Sequence, residues 1–207
     1  MQSNQATMML GPQIADIIFY LPTPPILPAD WQATQPDAIA QLIALNGNHW
    51  RKIITIMAKI CCLQVDITAN KGTAWKCIRD NLFHDDKFIQ ITTQTSSQWL
   101  PRLTCQLRIV MPNTVPELLL LAQSIPEHFT KDCWHIVCGK ETQQRLGLSV
   151  TDTESNANTE ETNLWQAIDE DNKIQRQHTC LLTPYLDYRQ YSNVLIEHTR
   201  KQLAINS

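Results

Sequence analysis

The chain has 207 residues, 43% hydrophobic and 18% charged, which suits one domain with a sizeable core and excludes a disordered composition. A net charge of −3 and a pI near 6.0 exclude any global attraction to a polyanion, so nucleic-acid binding would need a local basic patch. Seven cysteines without a Cys-x-x-Cys pair, no basic-then-apolar leader and no apolar run of bilayer length point to a reduced, cytoplasmic protein with no membrane partner.

Residues 1–13 are polar with a Met-Met-Leu stretch and read as a flexible leader, leaving 14–207 as a single α/β domain. IADIIFYL (14–21) is a continuous β-prone run. It empties into PTPPILP (22–28), where four prolines in seven residues rule out helix or central strand. Asp37 is placed to cap a short helix carrying Ile39, Leu42 and Ile43, and Asn46-Gly47 stops it. In HWRKIITIMAKICCL (49–63), Trp50, Ile53, Ile54, Met57 and Ile60 recur at helical spacing and read as core. A further short helix spans 74–83 with Trp75, Ile78 and Leu82 inward.

CQLRIVMP (105–112) is a strand, followed by a helix with Pro116 in its first turn. WHIVCG (134–139) is a strand leading into the short helix KETQQRLGL. The acidic, nearly apolar-free stretch 149–163 reads as a mobile loop, either a solvated insertion or a docking element for a protein partner. HTCLLT (178–183) is the last strand, and an amphipathic helix closes the chain from about Ser192. Strands alternating with helices predict a parallel sheet covered on both faces, with ligands gathering beyond the carboxyl ends of the strands. That rule selects the loops 21–28, 111–115, 138–141 and 183–190.

Metal chemistry finds little support. His84-Asp85-Asp86 and Asp132 with His135 are the compact His/carboxylate groupings, and neither has the ligand spacing of a zinc or calcium site. Gly139-Lys140 lies where a strand turns into a helix, but the remainder of a phosphate-cradling loop is missing, as is a Gly-x-Ser-x-Gly elbow. No cofactor is implied. Asn113, bracketed by Pro112 and Pro116, either offers a rigid carboxamide that reads a hydrogen-bonding edge or caps the following helix.

Taken in order, IIFYLPTPP (17–25), IVMPNTV (109–115), HIVCGKETQQRLG (135–147) and LLTPYLDYRQYS (181–192) resemble the four strand-end motifs of the uracil-DNA glycosylase superfamily. GNHWRKI (47–53) is similar to a helix start of its mismatch-specific members. The resemblance covers about residues 14–203 and implies a three-layer α/β/α fold with a central, mainly parallel four-stranded sheet. It implies that Asn113 holds the base-reading position, that Gly139 follows the third strand and that Pro184 belongs to the last motif. The chain departs from the pattern elsewhere. Thr183 stands where His or Asn stabilises the departing base, and a hydroxyl carries no charge for that task. Thr23 is the only side chain in the first loop able to hold a water, and it is no general base at neutral pH. Tyr185 replaces a small serine.

The implied function is a glycosylase-like protein without glycosylase activity that binds a nucleobase, nucleotide or nucleic acid through Thr23, Asn113, Gly139, Thr183, Tyr185 and Arg189. Two alternatives stand beside it: a protein-interaction module using 149–163, and a divergent hydrolase with Asp187 or Thr183 as its catalytic group. In that last reading Asp187 is the base and Arg189 an anion clamp; otherwise the two are an exposed ion pair.

Overall fold

The computed structural model describes residues 8–63, 74–92, 97–112, 133–148 and 165–204. Asn113 and the stretch 149–163 lie outside them, as does the helix expected after Pro116. Strand β1 is Met9–Leu10, β2 Ile17–Leu21, β5 Cys105–Ile109, β6 Trp134–Cys138, β7 Gln166–Ala167, β8 Gln175–Gln177 and β9 Cys180–Thr183; β3 (Phe88–Thr92) and β4 (Ser97–Pro101) form a separate antiparallel pair. The helices are α1 Ala38–Cys61, α2 Ala74–Asp80, α3 Lys140–Arg145 and α4 Asn193–Ala204.

The sheet corrects the sequence expectation of four mainly parallel strands. Among the described residues it has seven, in the mixed order β1-β5-β2-β6-β9-β8-β7. Strands β5, β2, β6 and β9 run parallel side by side, β1 pairs antiparallel with β5, and β8 and β7 extend the other side antiparallel. The added strands were invisible in the pattern because they are two or three residues long, and β7 and β8 are almost wholly polar. Residues 8–13, read as leader, carry β1, with Met9 opposite Arg108 and Leu10 opposite Leu107.

Register divides the core. Leu107, Phe19, Ile136 and Leu181 form one row across the parallel strands, and Arg108, Tyr20, Val137 and Leu182 form a row on the opposite face. The first face packs under α1, α2 and α4, where Ile53, Ile56, Met57, Ile78 and Ile196 are buried. The second holds a smaller cluster closed by Leu146 and Leu148, just beyond α3, with Trp165 at its border. Burying a branched aliphatic side chain of this kind stabilises by about 1.5–3 kcal/mol.

Helix α1 is broken at Gly47, whose backbone (φ 68°, ψ −155°) leaves the helical region. The predicted stop is therefore a kink between two helical segments. It frees Asn46 to turn sideways. Its Nδ2 donates to the carbonyls of Leu42 (2.9 Å) and Ile26 (2.8 Å), and its Oδ1 accepts the Ile26 amide (2.7 Å). One carboxamide thus ties the proline-rich loop to the helix. Asp37 does not cap: it sits in left-handed backbone (φ 61°) and makes no side-chain capping bond.

Candidate functional site

The chain after β2, β6 and β9 opens onto one cleft of about 1010 Å³. Pro22 and Thr23 supply one lip, Gly139, Lys140 and Gln143 the floor, and Thr183, Pro184 and Tyr185 the opposite wall. Asn172, Lys173 and Gln175 reach it from the β7–β8 turn and β8, while His49 comes from α1. Parallel strands all point the same way, so their carboxyl ends meet at one edge and the loops leaving them share one space.

Gly139 holds the corner. Its φ of +84° disfavours any L side chain, and an added Cβ would lie 3.1 Å from Tyr185 Cδ2 and 3.2 Å from Tyr185 Cβ. The missing side chain lets the tyrosine lie directly on the turn. The Gly139 amide and Gln143 Nε2 both donate to the Thr183 carbonyl, at 2.9 and 3.0 Å, which locks the ends of β6 and β9 together. Gly139→Ala is expected to lose about 1–3 kcal/mol of stability through strained backbone and a displaced ring. Chemical denaturation measures this, and an unchanged midpoint would refute the account.

Arg145 does the same for the other strands. Its Nη1 donates to the carbonyls of Pro22 (2.6 Å) and Val110 (2.5 Å), while Nη2 pairs with Glu141. One guanidinium, forked and planar, thereby sets the spacing of the chain leaving β2 and β5. It also occupies Glu141, the single carboxylate among the described residues of the cleft lining.

Tyr185 lies beside His49 with ring planes 7° apart and centroids 5.6 Å apart, and its hydroxyl and His49 Nε2 are 2.9 Å apart. Burial pushes the Tyr185 phenol up to about 12, with Cys138, Asp187 and Glu141 adding to the shift, so it remains a neutral hydrogen-bonding group. The wall is flat, aromatic and polar at its tip.

The other sequence candidates fall differently. Thr23 is exposed on the lip. Thr183 contributes backbone more than chemistry: the residue is 1% exposed, and its hydroxyl donates to the Pro184 carbonyl (3.1 Å) and lies 3.5 Å from that of Val137. Asp187 and Arg189 do not line the cleft. Lys52 Nζ holds Asp187 Oδ2 at 2.7 Å, and the Arg189 amide donates to Asp187 Oδ1 at 3.0 Å. Those two bonds, Lys52 first, hold the Asp187 carboxyl below its usual range. The expected Asp187–Arg189 ion pair is thus replaced by a pair with Lys52, 135 residues away. A carboxylate held in that way is a poor proton acceptor. Among the described residues no group of three or more His, Cys, Asp or Glu side chains converges as metal ligands would, and no helix is long and apolar enough to cross a membrane.

His49, Gln143 and Arg145 escaped the sequence reading. Gln143 and Arg145 carried a faint signal, since they follow Gly139 by four and six residues on the helix that the glycine starts. His49 carried only its place in GNHWRKI (47–53), since the fold of α1 over the sheet is what brings it to Tyr185.

Fold and site together define an α/β protein with a mixed sheet and an amide-rich cleft at the carboxyl edge of its parallel strands. Residues 8–204 match the model of a family of unknown function, DUF6942, and the chain belongs to that family. Comparison with the curated proteins and with the solved structures finds no match.

Proposed function

We propose that the cleft binds a nucleobase-bearing ligand (a free base, a nucleotide or a nucleic-acid segment) without cleaving a glycosidic bond. The observation that carries the reading is the meeting of Thr23, Gly139, Thr183 and Tyr185 in one cleft, with the Tyr185 ring aligned on His49 as its wall. A planar heterocycle gains stacking energy against such a surface, about 1–3 kcal/mol per base. Gln143, Gln144, Asn172 and Gln190 offer donors and acceptors along the same lining, as a base edge requires. The similarity of the loop order to the uracil-DNA glycosylase superfamily supports the same reading.

Binding rather than cleavage follows from the charges. Glu141, the carboxylate on the lining, is paired with Arg145, and Asp187 is held by Lys52 away from the cleft. Neither is placed to activate a water.

Calorimetric titration with uracil, uridine monophosphate and a short uracil-containing single strand tests the proposal. At least one should bind, Tyr185→Ala should weaken it by about tenfold or more, and Tyr185→Phe should retain most of it because the ring is kept. Heat from none of the three would sink the reading. Abasic sites in the incubated strand would overturn its non-cleaving part.

A further inference from the structure

Three cations meet on one tryptophan outside the cleft. Trp75 lies in the first turn of α2 and is half-buried. Lys76 Nζ and Arg79 Cζ each lie 5.9 Å from its ring centroid, and Lys59 Nζ from the last turn of α1 lies 5.4 Å from it. Lys76 and Arg79 are local neighbours at one and four residues. Lys59 arrives only through the packing of α1 on α2, so tertiary structure builds the cluster.

The charge there is poorly compensated. Arg79 Nε pairs with Asp80 Oδ1 at 2.8 Å, while among the described residues Lys59 bonds the neutral acceptor Asn193 Oδ1 at 2.9 Å. Among the described residues three cations less one carboxylate leave 3 − 1 = 2 net positive charges, in a protein whose total is −3. The cations lie within the order of a Debye length of one another, about 10 Å at 0.1 M salt, so they repel. Burial also lowers the basicity of Lys59 by desolvating its ammonium. A bound dianion would relieve both costs.

The cations also decide what kind of anion fits. They sit over the indole, so an incoming ligand meets cations as well as the ring. What the patch offers are the N–H donors of two ammonium groups and a guanidinium, which suit tetrahedral oxyanions. We propose that Lys59, Lys76 and Arg79, gathered on Trp75, form a phosphate-binding patch that takes a dianionic phosphate, either a free phosphoester or the terminal phosphate of a nucleic acid. The patch shares no residue with the cleft and does not rest on the nucleobase reading.

The test titrates the full chain at low salt with inorganic pyrophosphate, and with one single-stranded oligonucleotide prepared with and without a 5′-phosphate. Pyrophosphate is expected to bind. Lys59→Met combined with Lys76→Met should weaken it by about tenfold or more, since each lost ammonium removes a charge-assisted bond. Lys76→Met alone, at an exposed position, should weaken it in the same direction and guards against a folding defect in the double variant. Preference for the phosphorylated over the unphosphorylated strand would assign the phosphate to a nucleic-acid end. Pyrophosphate binding with no such preference would assign it to a small phosphoester. Failure of pyrophosphate to bind, or equal affinity in the folded double variant, overturns the proposal.

Discussion

Replacing Arg102 with methionine should destabilise the protein by about 3–5 kcal/mol. Arg102 follows β4 and is 2% exposed. Its Nη1 donates to the Asn81 carbonyl at 2.5 Å, and its Nη2 donates to those of Leu82 (3.2 Å) and His84 (2.5 Å). These carbonyls lie in the turn just after α2, where a cation meets the negative end of the helix dipole. A guanidinium serves several carbonyls at once because its donors are held in a fixed plane. Methionine fills similar volume but donates nothing, so the Leu82 and His84 carbonyls would lose their guanidinium donor, while that of Asn81 keeps the His84 amide at 3.1 Å. Lysine restores the charge and not the fork, and is expected to recover about half the loss or less. Urea denaturation measures both variants. A cost below about 1 kcal/mol for Arg102→Met would show that water replaces the guanidinium without penalty.

The second large effect is a loss of stability in mild acid that traces to one histidine. His135 lies on β6, with Nδ1 2.9 Å from the Tyr20 hydroxyl and the two rings stacked at 5.9 Å. Burial, and then the nearby positive Arg108, push its pKa down from 6.5 to about 3. The unfolded chain therefore binds a proton as pH falls through about 6.5, while the folded chain does not until about 3. Folding becomes less favourable across that window and levels off below it. The full depression corresponds to roughly 5 kcal/mol by linkage. Asp16 acts in the same direction but lower. Burial raises its pKa, and the Thr104 amide, Lys87 and the Thr104 hydroxyl more than offset that, so its contribution is lost only as pH drops below the ordinary carboxylate range. Between pH 6 and about 4 the slope belongs chiefly to His135. His135→Gln should flatten it, at the cost of the Tyr20 contact at neutral pH. A variant with the wild-type slope over that interval would refute the assignment.

Both effects sit in parts of the chain that the pattern read as unremarkable. HIVC inside WHIVCG looks like uniform strand, and nothing in it says that His135 faces the smaller of two cores beside Tyr20. The next-door strand decides this, because register puts His135 opposite Ile18 and Cys180 on a row with no exit to solvent. Arg102, in PRLTC, drew no reading from the sequence, because only α2 folding back presents its carbonyls to it. The candidate site shows the same division. The loops that hold Gly139, Thr183 and Tyr185 were legible because each follows a strongly apolar run, and that of Thr23 because prolines end the strand before it. Asp187 was misassigned to Arg189, two residues away, when its partner Lys52 comes from the other end of the chain.

The sequence by itself determined the four long apolar strands, the break at Gly47, the helical face of 49–61 and the corner at Thr183-Pro184. Each follows from local physics: β-branched runs extend, glycine and proline interrupt, and apolar residues at helical spacing must share one buried side. Only the tertiary structure decided the width and mixed sense of the sheet, the partners of Asp187, His135 and Arg102, and the three cations on Trp75. These depend on pairs far apart in the chain, with no periodicity to announce them. Strands of two or three polar residues become strands only because a longer one is already there to hydrogen-bond with them.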